Sequence, residues 1–374
     1  MAPFLFQTIV WRNRKLTTLF ELGWKPCFEE SFEQFKKAFT SNANELCAGR
    51  ISIEHKGIYR ILSEHGELLG KMSGKLLAKS EAGVRPAVGD WVVMSARLNE
   101  RQATIHDILP RFSKFSRKEA GTDHGEQIVC ANIDIVFLVM SLNRDFNLRR
   151  LERYLITAWD SGANPIIVLT KADLCEDIDE KMKAVEHVAF GVPTYAVSAA
   201  TGQGIDELRQ LIKPGETAAL LGSSGVGKST LINCIYGENI LETGAIREDD
   251  DRGRHTTTHR ELIVLKTGGI VIDTPGMREL SLWDVADSLA QGFEDVETLA
   301  LNCKFRDCSH SGEPGCAVKE AIENGNLSPE RFQSYVKLQK ELAYFERKSS
   351  KKAQSEEKKK WKASNKLARQ RSKR

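Results

Sequence analysis

One octapeptide constrains this chain more than any other feature. Residues 222–229 read Gly222-Ser223-Ser224-Gly225-Val226-Gly227-Lys228-Ser229, a full match to G-x-x-x-x-G-K-[ST]. A short apolar stretch, 217–221, precedes it, and an apolar segment of helical character, 230–236, follows from Thr230. Strand, loop and helix in that order make an anion cradle. Glycine admits backbone conformations closed to other residues, so successive N–H groups converge on one point. The helix that starts there aims its unsatisfied N–H groups and positive dipole end at the same place. Lys228 is then expected to reach β- and γ-phosphates as a point charge, and the Ser229 hydroxyl to ligate Mg2+. A glycine-rich turn is the bland alternative, and the flanking elements argue against it.

The rest of the constellation selects the base. Residues 270–276 form an apolar strand ending in D-x-x-G, with Asp273 placed to hold the Mg2+ shell and the Gly276 N–H to sense a γ-phosphate. Thr170, Lys171 and Asp173 make a T-K-x-D motif at the end of the apolar run 166–169. A carboxylate there accepts from the N1–H and 2-amino group of guanine, a donor pair adenine lacks, so Asp173 argues for GTP over ATP. Ser198 and Ala199 follow the strand-like 194–197 and offer a backbone N–H to the guanine O6. The order is unusual: base-reading motifs precede the phosphate loop. A sheet tolerates this when the ordinary chain ends lie close enough to be joined and a new break opens elsewhere, which is a circular permutation.

Around this core four regions separate by texture. Residues 1–46 read as a helical leader with Phe28, Phe32, Phe35 and Phe39 at helical spacing, a stripe expected to pack on the body. Residues 47–113 alternate in short glycine-punctuated strands, five in about 65 residues, which fits an OB-fold β-barrel or a small β-domain without a nucleic-acid role. Residues 114–284 alternate strands (133–140, 166–169, 194–197, 217–221) with helices (148–159, 176–188, 205–212), predicting a mainly parallel α/β sheet. Residues 285–346 turn helical around a cysteine cluster, and 347–374 form a basic tail. The expected fold is thus multidomain: an N-terminal OB-fold barrel, a central circularly permuted P-loop α/β domain and a C-terminal helical zinc-binding domain.

The cluster is Cys303-x4-Cys308-x-His310-x5-Cys316, a Cys3His set suited to one structural Zn2+. Unconnected thiols beside a surface histidine are the alternative. The chain has eight cysteines in 374 residues, too few for a disulfide scaffold, so a reducing, cytoplasmic setting is expected. No apolar run approaches the roughly 18 residues of a membrane span, and no secretory signal is read at the start, so no membrane partner is expected. The net charge of +3 conceals a split, since the tail carries thirteen Lys/Arg against two acids and leaves the other 346 residues at −8. Such a tail suits a phosphate backbone, with Trp361 able to stack on a base, although a solvated helix end would look similar.

The segment 247–259 is polar and reads as a switch. One of Thr256, Thr257 and Thr258 is expected to complete the Mg2+ shell, Thr257 being assigned. Met277 stands after Gly276 where many GTPases carry a water-orienting glutamine. Intrinsic hydrolysis is therefore expected to be slow unless another group is delivered. His255 is the catalytic candidate, with Arg252 or Arg254 as charge-stabilising alternatives and a plain surface histidine as the bland one.

Together these residues closely resemble the RsgA (YjeQ) family. The resemblance rests on the motif order, on Gly253-Arg-His-Thr-Thr-Thr258, on Asp273-Thr-Pro-Gly-Met-Arg-Glu279, and on Cys303-Lys-Phe-Arg-Asp-Cys308-Ser-His310 with Glu313-Pro-Gly-Cys316. Val88-Gly-Asp-Trp-Val92 and Leu22-Gly-Trp-Lys-Pro26 resemble the same family, so the match spans roughly 20–350. It implies a GTPase of late small (30S) ribosomal subunit maturation, converting GTP and water to GDP and phosphate. It implies slow turnover alone, stimulation by the subunit, and release on hydrolysis. By position it implies that Lys228, Ser229 and Asp273 serve phosphate and Mg2+, that Asp173 reads guanine, and that Cys303, Cys308, His310 and Cys316 hold Zn2+. The expected partners are the small subunit and its rRNA, with the protein a monomer. The rival expectation is an RNA-binding guanine-nucleotide sensor with little turnover.

Overall fold

The computed structural model describes residues 18–39, 46–80, 85–118, 126–143, 145–241, 260–273, 293–305, 308–310, 313–329, 331–333, 335, 336 and 339. The switch 247–259 with His255 and Thr257, the residues Gly276 and Met277, and the tail 347–374 lie outside the described residues. The chain divides into two compact units, one of residues 1–117 with 126–280, the other of 118–125 with 281–374.

In the first unit a 3-10 turn, Phe20–Leu22, leads into helix α1, Pro26–Ala38. Proline at its first turn suits a position whose N–H has no helical partner. The phenylalanine stripe is asymmetric: Phe28 and Phe32 are buried against Trp24 and Trp91, whereas Phe35 is partly covered and Phe39 meets the His106 ring.

Strands β1 (Leu46–His55), β2 (Ile58–Ser63), β3 (Gly66–Met72), β4 (Trp91–Arg97) and β5 (Gln102–Ile108) follow, with helix α2 (Gly74–Ser80) between β3 and β4. They pair β1–β2–β3–β5–β4 and close through β4–β1, the five-stranded OB barrel. Ile51, Tyr59, Ile61, Leu68, Val92, Met94 and Ile105 fill its interior. Irregularities at Ile51/Ile53 and Val93/Met94 let the strands coil tightly enough to close.

A separate two-stranded sheet comprises β6 (Lys114–Lys118) and β7 (Glu126–Ala131). Then come β8 (Ile135–Ser141), α3 (Leu148–Ser161), β9 (Asn164–Thr170), α4 (Ile178–Val188), β10 (Thr194–Ala196), α5 (Ile205–Leu211), β11 (Thr217–Leu221), α6 (Lys228–Tyr236), β12 (Glu261–Val264) and β13 (Ile270–Asp273). Spatial order is β10-β9-β8-β11-β13-β12, parallel throughout except for the antiparallel β12. All residues of β8 and of β11 are buried, as expected for strands covered on both faces. Two apolar clusters lie in this domain, one around Val136, Leu138 and Leu155, the other around Phe137, Leu220 and Ile232.

Barrel and α/β sheet are continuous, because β12 also pairs with β1 at Ile53↔Glu261. A buried arginine reinforces the seam. Arg50, 1 % exposed, donates to the carbonyls of Leu22 (2.5 Å), Gly89 (3.2 Å) and Asn132 (2.9 Å), joining leader, barrel and the connection between β7 and β8. Burial lowers its pKa to about 10, opposed by the charges of Asp134 and Asp90.

The second unit contains helices α7 (Glu294–Leu301) and α8 (Ala317–Glu323), with Phe293, Val296, Val318, Ala321 and Tyr335 buried. The Arg331 guanidinium lies 4.0 Å from the Phe293 ring centroid and pairs with Asp295, tying the following segment back to α7.

Candidate functional site

Parallel pairing puts the ends of β9, β10, β11 and β13 along one edge of the sheet. Thr170, Ser198, Gly222 and Asp273 therefore share that edge although they span about a hundred residues of chain. Ligands of α/β sheets bind at the carboxyl ends of the strands, where helix N-termini also converge.

The phosphate loop leaves β11 at Gly222. A Cβ there would lie 2.3 Å from the Val139 carbonyl oxygen, so only glycine lets the loop cross the end of β8. Gly227, at φ +98°, is the N-cap of α6 and has no side chain with which to cap it, so the helix N-terminus opens onto the loop. Lys228 Nζ donates to the loop carbonyls of Gly222 (2.8 Å) and Ser223 (2.7 Å), holding the cation over the loop. Val226 is buried, Ser223 and Ser224 are half-buried and Gly225 is exposed.

The T-K-x-D motif is tied to this loop. Thr170 stands where many GTPases carry asparagine, and its hydroxyl donates to the Val226 carbonyl at 2.7 Å, so the tie persists through a different group. Lys171, at φ +61°, donates from Nζ to the Gly225 carbonyl at 3.1 Å. Asp173 follows in the 3-10 turn Ala172–Leu174, exposed at the edge. The buried Ser198 donates its hydroxyl to Asp173 Oδ1 at 2.5 Å, fixing the carboxylate's orientation. Ala199 is next in this turn, its carbonyl 3.8 Å from the Cys234 thiol.

Sequence reasoning missed a third brace. The loop after β8 carries Asp145, whose Oδ2 accepts from the Ser223 hydroxyl at 2.7 Å and whose Oδ1 pairs with Arg150 at 2.8 Å. Two residues on, Asn147 caps α3 by accepting from the Arg150 N–H at 3.0 Å. Nothing about Asp145 itself marked it.

Asp273 ends β13 as a buried carboxylate beside β11. With the Ser229 hydroxyl it is a hard oxygen donor pair, the chemistry Mg2+ takes alongside phosphate oxygens and water.

In the second unit Cys303, Cys308, His310 and Cys316 present ligand atoms all within 4.8 Å of one another. Cys303 Sγ is 3.9 Å from Cys316 Sγ and 3.6 Å from His310 Nδ1, and Cys316 Sγ is 3.4 Å from His310 Nδ1. A tetrahedron with Zn–S bonds of about 2.3 Å has edges of about 3.8 Å, so the donor set fits zinc. His310 sits at φ +57°, Cys316 caps α8 by accepting from the Lys319 N–H, and Lys304 donates its N–H to Gly315.

A mainly parallel sheet carrying a phosphate loop, a D-x-x-G strand end and a T-K-x-D motif in rotated chain order defines a circularly permuted P-loop GTPase. An OB barrel precedes it and a Cys3His unit follows. The family model described as RsgA GTPase matches residues 108–283. The chain is 50% identical over 309 residues to the small ribosomal subunit biogenesis GTPase RsgA 2 of Lactiplantibacillus plantarum, covering 82% of this chain and 87% of that one. It is 45% identical over 340 residues to RsgA 1 of Oceanobacillus iheyensis, covering 90% and 96%. The crystal structure of YjeQ from Thermotoga maritima matches with a TM-score of 0.62 at 29% identity, over 80% of this chain and 99% of that one. YloQ, a circularly permuted GTPase, matches at 0.59 and 26% identity, over 82% and 98%. This chain belongs to the RsgA family.

Proposed function

We propose that this protein hydrolyses GTP to GDP and phosphate in late maturation of the small ribosomal subunit, binding the subunit and its rRNA with GTP and leaving after hydrolysis. The observation that carries the reading is the convergence of Thr170, Asp173, Ser198, Gly222, Lys228 and Asp273 on one sheet edge, in a family whose relatives are named for that role.

In this reading Asp173, held by Ser198, accepts from guanine, and the Ala199 N–H meets its O6. Lys228 turns from its loop carbonyls to the β- and γ-phosphates, and the N–H groups of residues 223–230 cradle them. Ser229 and Asp273, with Thr257, would hold Mg2+, which when bound would supply positive charge to the phosphates. The Gly276 N–H senses the γ-phosphate, and His255 orients the attacking water in place of the side chain that Met277 lacks. Cys303, Cys308, His310 and Cys316 hold one structural Zn2+. The domain limits assigned are 47–113, 114–284 and 285–346, between a leader (1–46) and an RNA-seeking basic tail (347–374). The protein works as a monomer in the cytoplasm. Among the described residues no helix is long and apolar enough to cross a membrane.

Multiple-turnover GTP hydrolysis with and without purified small subunits tests this. Turnover should rise when subunits are added. Turnover that stays at the intrinsic rate would overturn the reading in favour of an RNA-binding guanine-nucleotide sensor. His255→Ala with unchanged stimulated turnover would remove that side chain from the reaction.

A further inference from the structure

One lateral row of residues runs from the barrel to the magnesium-holding carboxylate. Arg60 on β2 is opposite Ile53 on β1, Ile53 is opposite Glu261 on β12, and Glu261 is opposite Asp273 on β13. Residues directly opposite across antiparallel strands present their side chains on the same face. The row therefore crosses four strands, roughly 14 Å at the usual inter-strand spacing, on one side of the continuous sheet.

The charges in this row are unevenly matched. Glu261 sits directly opposite Asp273, a like-charge arrangement that ordinarily destabilises a strand pair. Arg60 reaches over Ile53 to Glu261, NH1 to Oε1 4.0 Å, while its Nε holds Glu67 at 3.1 Å. The Arg60 side chain is only 12% exposed and Glu261 30%, so solvent screens the group incompletely. Burial raises the Glu261 pKa, Arg60 opposes the shift, and the charges of Asp273 and Glu67 reinforce it. Glu261 thus feels both the barrel's arginine and the carboxylate at the nucleotide edge.

We propose that Arg60 of the barrel is a positioning residue that sets the Mg2+ affinity of the nucleotide site through Glu261. The inference rests on Asp273 being a magnesium-holding residue. Glu261 adds negative potential at Asp273 and strengthens its hold on a divalent cation. Arg60 withdraws part of that potential by pairing with Glu261. Because coupling free energies are reciprocal, Mg2+ at Asp273 in turn draws on Glu261 and alters its pairing with β2. The barrel is thereby an electrostatic trimmer of the site, and not only a neighbouring domain.

The test is the Mg2+ concentration giving half-maximal binding of a fluorescent guanosine diphosphate, measured on the full chain. Glu261→Gln should raise that concentration roughly threefold and Arg60→Gln should lower it by a similar factor, shifts typical of a single screened charge pair. The double variant should match Glu261→Gln alone, because Arg60 acts through Glu261. Loosening of the sheet would move both single variants in the same direction, and that result overturns the proposal. So does an Arg60→Gln value equal to wild type. Asp273→Asn separates the two layers: if it leaves the Mg2+ dependence unchanged, the magnesium assignment fails whatever the pair does.

Discussion

The cysteine cluster and the nucleotide edge are assembled in opposite ways. The cluster takes all its donors from residues 303–316, within one short stretch of the second unit. The nucleotide edge gathers Thr170, Ser198, Gly222 and Asp273 at the ends of four separate strands, aligned by sheet order. In small units whose framework is a local ligand set, metal binding and folding are one event. A site built on strand ends inherits the stability of the sheet and stands ready before ligand arrives. The ties from Thr170 and Lys171 to the loop, and from Ser223 to Asp145, are side-chain expressions of that readiness.

This contrast can be broken most decisively at the cluster. Structural zinc contributes on the order of 10–16 kcal/mol in small metal-folded units. Strong chelation, or Cys308→Ser, should expose the second unit to limited proteolysis while guanine-nucleotide affinity, followed by fluorescence titration, stays near wild type. A parallel fall in affinity would show that the two sites are not independent.

At the sheet edge the expected losses are smaller and leave the fold standing. Lys228→Ala should weaken GDP binding about 10–100-fold, the worth of a charged hydrogen-bond partner at 1.5–3 kcal/mol, with an unchanged melting temperature for the nucleotide-free protein. Asp173→Asn presents an amide donor to guanine donors and should reduce GTP-over-ATP selectivity by about two orders of magnitude in competition binding. Unchanged selectivity would sink the assignment of base reading to Asp173. The smallest effect belongs to the braces: Thr170→Val removes one hydroxyl bond to Val226, worth about 1 kcal/mol, and should raise the GDP dissociation constant about fivefold.

The two sites also differed in how far they could be read in advance. Four side chains of metal-ligating type within fourteen residues announce themselves by spacing. The phosphate loop was equally plain, and so were β8, β9 and β11, whose apolar runs reflect burial on both faces. The barrel's five strands were legible because their turns are marked by glycine. By contrast, β6 was hidden because Lys114–Lys118 reads Lys-Phe-Ser-Arg-Lys, with one apolar anchor, Phe115. β12 is only four residues long, and its pairing with β1 is a long-range fact that no local pattern encodes. Thr170 was recognisable as a departure from asparagine, but its hydroxyl bond to Val226 depends on a loop 56 residues away. Asp145 illustrates the limit: a carboxylate in a polar loop gains meaning only from the loop it faces.

The arginine at the seam has a consequence for how the chain is made. Arg50 leaves the ribosome after Leu22 but well before Gly89 and Asn132, the other two carbonyls that satisfy its guanidinium. A buried cation without its acceptors costs several kcal/mol. The barrel is therefore expected to stay incompletely closed until residue 132 has emerged, so its final packing is timed by synthesis of the next domain. Vectorial synthesis thereby imposes an order of assembly that refolding of the finished chain need not follow.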